Sequence, residues 1–168
     1  GKVPGAKFER ADFLALVQSL RVQGRVDASG LPLPPEVYAV RDEAAHADGD
    51  GLSWTKKRCL EHPDDWAASF YLGALAYERR DDELTAKGYG RAAELLAALA
   101  ERTPKQTVAL VRACDAAAAA CAARKRFAEA APWCELLLSA TKPDAPEDIT
   151  KFRHEAQFNL ACCYAMSR

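Results

Sequence analysis

Three histidines and six cysteines are the residues of this chain best suited to chemistry, and their spacing decides whether they do any. A histidine serves as base or ligand when a second polar group converges on it. His46, His62 and His154 each stand alone, with no H-x3-H pair, and are expected near helix ends as surface or capping residues. Cys59, Cys114, Cys121, Cys134, Cys162 and Cys163 lie in apolar runs, without a C-x-x-C pair or a histidine at metal-ligand spacing. Free cysteine packs as a small hydrophobe, so buried reduced thiols in a cytosolic-type compartment are expected rather than disulfides or zinc. Cys114 and Cys121 share a helix face and Cys134 falls on the next helix, so the three are expected to be neighbours in a core. Asp48-Gly49-Asp50-Gly51 offers carboxylates for calcium, but it lacks the EF-hand spacing and reads as a plain turn. There is no glycine-rich phosphate loop before a helix and no nucleophile elbow. The expectation is a protein that is not an enzyme, with no catalytic residue, no metal and no cofactor.

The elements that carry these residues are helices. From Trp66 to Ala100 the chain reads as two amphipathic helices broken by Arg79-Arg80-Asp81-Asp82. Phe70, Leu72, Gly73 and Ala76 recur at helical spacing in the first, with Tyr77 one step on; Leu84, Tyr89, Ala92, Ala93, Leu96 and Leu99 do so in the second. Gly73 and Ala76 are small where the two helices should cross, and Tyr89 supplies the bulk that fills the space. A single hairpin cannot bury both of its faces.

Ser69-x-x-Leu72-Gly73-x-x-Ala76 followed by Thr85-x-x-x-Tyr89-x-x-Ala92 resembles the tetratricopeptide repeat, W-x2-L-G-x2-Y…A-x3-F…P over about 34 residues. Ser69 replaces the tryptophan, Ala76 the tyrosine and Thr85 the usual alanine, and the closing Pro104 comes about two turns late. Cys114-x-x-Ala117-Ala118-x-x-Cys121 with Phe127-Ala128-Glu129-Ala130 and Pro143 repeats the pattern, as does Gln157-x-x-Leu160-Ala161-x-x-Tyr164. The matching Gly73, Ala118 and Ala161 lie 45 and 43 residues apart. Such long repeats, with Pro132-Trp133-Cys134 in a second helix, are similar in style to those of the kinesin light chain. The resemblance implies an all-α fold, an α-α superhelix: a TPR-like solenoid of antiparallel helix hairpins with about seven to eight helices.

The rest of the chain is read in that frame. Residues 1–34 hold an N-terminal helix, Phe8 to Gln23, with Phe13, Leu14, Val17 and Leu20 on one face, Gly24 as its stop, then a Pro/Gly-rich loop. Residues 35–168 form the array: 35–62 a degenerate repeat in which Ala39 takes the small slot, 66–102 and 104–141 repeats, and 147–168 the first helix of an incomplete one. Thr103-Pro104-Lys105-Gln106 has the residues of a capping box with proline at the first helical position. Alanine makes up about a fifth of the 168 residues, suiting closely packed helices, and apolar residues at 49% suffice for a continuous core. A net charge of −1 gives no reason to expect nucleic acid, and no apolar run approaches a membrane span. The chain opens at Gly1 without a signal peptide and is expected to be a fragment or processed chain, cytoplasmic.

The resemblance implies a surface site. First helices of such hairpins line a concave groove, here Phe70, Tyr71, Ala74, Tyr77 and Glu78, then Arg112, Asp115, Ala116, Ala119 and Ala123, then Glu155, Phe158, Asn159 and Cys162. Two aromatic walls flank an alanine floor, suited to a peptide or amphipathic helix of another protein. The implied function is a protein-protein interaction scaffold within a larger protein or complex. The alternative is a co-chaperone of the Hsp70/Hsp90 type, whose carboxylate clamp maps to Ala67 and Tyr71, Arg112 and Ala116, Glu155 and Asn159; only Asn159 matches, and Glu155 would repel a carboxylate. Phe158, Leu160, Cys162 and Tyr164 are expected to form an uncovered face, open to self-association. Arg79-Arg80, Arg124-Lys125-Arg126 and Arg168 are expected along one edge and Asp64-Asp65, Asp144, Glu147 and Asp148 along the other, either complementing helix dipoles or steering an acidic partner.

Overall fold

The computed structural model describes residues 33–142, 145 and 147–167. The expected helix Phe8–Gln23, its Gly24 stop, the loop up to residue 32, Pro143, Asp144 and Arg168 lie outside the described residues. What is described is all-helical, without a strand: α1 (Pro35–His46), α2 (Gly51–Glu61), α3 (Trp66–Glu78), α4 (Asp82–Ala97), α5 (Pro104–Ala123), α6 (Phe127–Ala140) and α7 (Glu147–Met166). From α3 onward each helix packs mainly on the next in sequence, while α1 also leans on α3 and α5 on α7.

Local chemistry sets where the helices begin. The carboxylates of Asp50, Asp65 and Asp81 accept from the backbone N–H of Ser53, Ala68 and Leu84, each satisfying an orphan donor of a first turn. Thr103 and Gln106 close the expected capping box reciprocally, at 3.2 and 2.9 Å, with Pro104 at the first helical position. Arg126 precedes α6 and offers no cap; its guanidinium lies on Glu129 in the first turn instead. The last carbonyls of α4 and α6 accept from Arg102 and Arg153, the latter bonding Leu138 and Thr141 at 2.8 and 2.7 Å.

Helices α3 and α5 end alike. Arg80 and Lys125 both have φ of +60°, and Asp81 and Arg126 donate back to Ala76 and Cys121. This is a Schellman turn with a long side chain in the left-handed position that glycine fits without strain. Replacing either residue by glycine relieves that strain, partly offset by a freer unfolded chain. Arg80→Gly and Lys125→Gly are each expected to stabilise by about 0.5–1 kcal/mol in urea unfolding.

At the α3–α4 crossing two glycines meet. A methyl group on Gly88 would lie 2.5 Å from the Gly73 nitrogen and 2.7 Å from its Cα. One on Gly73 would lie 2.7 Å from the Tyr89 ring. Two backbones therefore touch here, and Tyr89 fills the flank as expected, its ring edge-on to Phe70 with centroids 5.0 Å apart. Ala76, Ala92, Ala93 and Leu96 continue the same core fully buried, and Leu110, Ala113, Cys114, Ala117 and Leu137 extend it through α5 and α6.

Two expected small slots are displaced. Ala39 is exposed, because α1 turns Val37, Val40 and Ala44 inward. Ala161 is exposed as well; α7 packs through Phe152, Ala156, Cys162 and Cys163, a face rotated from the expected one. Cys162 thus leaves the predicted open face, whereas Phe158 and Tyr164 remain 41% and 51% exposed.

Candidate functional site

The residues expected to share one face come from α3, α5 and α7, and they divide into three groups. Phe70 is a correction: it is 2% exposed, drawn inward to stack on Tyr89, and cannot line a surface. Ala67 is buried with it, and Cys162, at 9% exposed, is held in the core contact of α7. Tyr71, Ala74, Tyr77, Arg112, Asp115, Ala116, Ala119, Ala123, Glu155 and Asn159 keep an intermediate exposure, and Phe158 and Glu78 are open. Tyr71 lies within the field of Arg41 and Asp42 of α1 and of Glu78, and burial pushes its phenol up. Arg112 lies near the buried Tyr89, whose hydroxyl burial raises to about 12.

The electrostatic centre of this face is acidic. Burial pushes the Asp115 carboxyl up to about 7, and Glu155 across on α7 adds to the shift. Glu155 is itself raised by burial, with Lys151 opposing. Neither carboxylate has a salt-bridge partner among the described residues. Asp115 stands 45 residues after Phe70 and 43 before Phe158. One position of successive first helices therefore holds a core aromatic, a partly buried acid and an exposed aromatic.

The cysteines belong to the core. Cys114, Cys121, Cys134, Cys162 and Cys163 are buried free thiols and Cys59 is partly exposed. Burial raises Cys114 to about 12. Cys134 and Cys163 are hydrogen-bonded across α6 and α7, which raises the donor Cys134 further. The neighbourhood foreseen for Cys134 thus includes Cys163 of α7 as well as Cys114. No group of three metal-binding side chains occurs among the described residues. Since thiolate is the reactive form, titration of native protein with an aromatic disulfide reagent should modify Cys59 first and leave five thiols slow until denaturant is added. Rapid modification of all six would contradict this burial.

A concavity of about 310 Å³ lies between α4 and α6. Gly90 and Trp133 form its apolar wall, with a methyl on Gly90 only 2.9 Å from the indole ring. Its charges satisfy one another: Lys87 pairs with Glu83 at 3.1 Å, Arg91 with Glu94 at 3.3 Å, and Arg126 with Glu129. The basic edge is answered in the same manner. Arg79 reaches Asp50 at 2.6 Å and Arg124 reaches Glu83 at 2.7 Å, so each arginine ties its turn to a preceding hairpin. Asp65 is engaged on its own edge by Arg58 at 2.8 Å. Arg79 and Arg124 thus join neighbouring units, while Arg80 and Lys125 between them lie exposed.

Of the histidines, His46 bonds the Asp42 carbonyl at 2.6 Å, His62 ends α2, and His154 lies exposed well inside α7 rather than near its end. Sequence reading missed Gly88, because glycine inside a helix reads as a weak point rather than a contact, and it missed how deeply Asp115 sits. The 45-residue alignment of Asp115 with Phe70 was the available signal for the latter. Set against protein-family models, curated proteins and solved structures, the chain matches none of them.

Proposed function

We propose that the chain is a TPR-like array of helix hairpins whose first helices line a concave groove, and that this groove binds a peptide or amphipathic helix of another protein. The reading rests above all on one observation: Tyr71 and Tyr77 on α3, and Asp115 and Glu155 on α5 and α7, keep partial exposure on the helices that the repeat pattern assigns to one face. Aromatic walls take apolar side chains of an extended or helical segment. The carboxylates favour a basic residue in it, since a cation compensates charge that burial has made costly. For the same reason the co-chaperone alternative is disfavoured: Asp115 and Glu155 oppose a terminal carboxylate where a clamp would attract one.

The test is selection of binders from a displayed library of helical peptides, followed by anisotropy titration against the full chain. Tyr71→Ala/Tyr77→Ala should weaken selected peptides at least tenfold, whereas Lys87→Ala in the α4–α6 cleft should leave them unchanged. Selected peptides that ignore the α3 substitutions and respond to Lys87→Ala would place the binding surface in that cleft.

A further inference from the structure

Four thiols from three helices meet where α5, α6 and α7 pack together. They are Cys114 and Cys121 of α5, Cys134 of α6 and Cys163 of α7, each no more than 3% exposed. Size alone does not call for sulfur here, since alanine fills buried slots on the same helices at Ala117, Ala130 and Ala156. Cys134 and Cys163 differ from the others in touching one another: the Cys134 S–H donates to the Cys163 sulfur. That bond holds Cys163 below the ordinary thiol range, against the effect of burial, and pushes Cys134 above it. Every other cysteine is shifted away from thiolate by burial.

The register that brings the two sulfurs together is fixed independently of them. Tyr164, one residue beyond Cys163, donates its hydroxyl to the carboxylate of Glu135, one residue beyond Cys134. Nearer the α6–α7 turn, Arg153 bonds the Leu138 and Thr141 carbonyls at 2.8 and 2.7 Å. Cys162 adjoins Cys163 in sequence, but successive side chains of a helix diverge by about 100° and do not face each other. Two sulfurs already in contact need only small side-chain rotations to bond, with neither helix moved.

We propose that Cys134 and Cys163 form a disulfide that latches α7 to α6 when the protein meets hydrogen peroxide, a device independent of the groove reading. The Cys163 thiolate attacks one peroxide oxygen, becoming a sulfenic acid and releasing hydroxide, which takes up the thiol's proton and leaves as water. The Cys134 sulfur then attacks the Cys163 sulfur, and its own proton departs with the displaced hydroxyl as a second water. Two thiols thus lose two electrons to one peroxide. The α4–α6 cleft gives a small oxidant its approach, since its wall includes Cys121, which lies within the field of Cys163. The linked residues are 29 positions apart, so the bond closes a long loop and restricts the unfolded chain.

The full chain tests this directly. It is treated with hydrogen peroxide in native buffer, remaining thiols are alkylated with N-ethylmaleimide in urea, and linked peptides are mapped by mass spectrometry. The intramolecular Cys134–Cys163 link should exceed every other pairing at least tenfold, and should lose that preference when oxidation is carried out in urea. Oxidised protein should unfold at a higher urea midpoint, and a phosphine reductant should return it to the starting value. Cys134→Ser should stop at a Cys163 sulfenic acid that dimedone traps, Cys163→Ser should leave Cys134 unmodified, and Cys162→Ser should behave as wild type. The wild-type map decides even where a variant fails to fold. Native products dominated by Cys162–Cys163 or by Cys59 links between copies overturn the proposal, as does the absence of any disulfide. A Cys134–Cys163 bond that leaves the urea midpoint unchanged overturns the latch.

Discussion

Gly88→Ala is expected to cost about 3 kcal/mol, the upper end of the usual range for overpacking. The added methyl would have to displace backbone, since its nearest neighbours are the nitrogen and Cα of Gly73 at 2.5 and 2.7 Å. A flexible side chain could swing away from such a contact; a peptide unit inside α3 cannot move without shifting Phe70 and Tyr89 as well. The effect runs against intrinsic propensity, by which alanine in a helix gains about 1 kcal/mol over glycine. Gly51→Ala is the matching control. It is also helical, its nearest neighbour is 3.7 Å away, and it should be neutral or slightly stabilising. Urea midpoints of the two variants decide the matter: a Gly88→Ala midpoint at or above wild type would mean the α3–α4 crossing is looser than described.

The second large effect is pH-dependent. Folding lifts the Asp115 carboxyl from its ordinary value of 3.8 to about 7, by burial first and Glu155 second. The folded protein thus holds a proton that the unfolded chain releases, and stability is full below about pH 4 and lost as pH rises through about 7. Glu155, raised in the same direction by burial, steepens the trend, while Lys151 opposes its rise. Asp115→Asn removes the ionisation and keeps the shape. It should match wild type near pH 4 and exceed it by about 2–3 kcal/mol at pH 8, a figure kept below the full shift because the residue retains some exposure. Parallel stability curves for the two proteins from pH 4 to 8 would show that Asp115 ionises freely.

Much of the helical scaffold could be read from residue types alone. Thr103-Pro104-Lys105-Gln106 announces the start of α5 because each of its groups has one obvious backbone partner, and those are the bonds formed. Gly73 and Tyr89 were legible as a hole and its filling. What escaped is rotation about helix axes. Phe70 and Tyr71 are adjacent aromatics, and choosing the inward one requires knowing that Gly88 brings α4 against α3. Ala39 and Ala161 failed as small slots because α1 turns Val37, Val40 and Ala44 inward and α7 turns Phe152, Ala156 and Cys163 inward, and spacing alone does not choose between adjacent stripes of a helix. The charge facing Asp115 likewise comes from Glu155 on α7, 40 residues away, and spacing within α5 carries no trace of that.

Because each helix from α3 onward rests mainly on its neighbours in the chain, few of the stabilising contacts close long loops. Assembly then proceeds by adding one helix to the last, and the entropy given up at each step is small. Low contact order of this kind gives folding in microseconds to milliseconds. The same wiring leaves α1 and α2 the least tied of the described helices. Their amides should exchange hydrogen through partial openings, while those where α3 meets α4 exchange only when the whole chain unfolds.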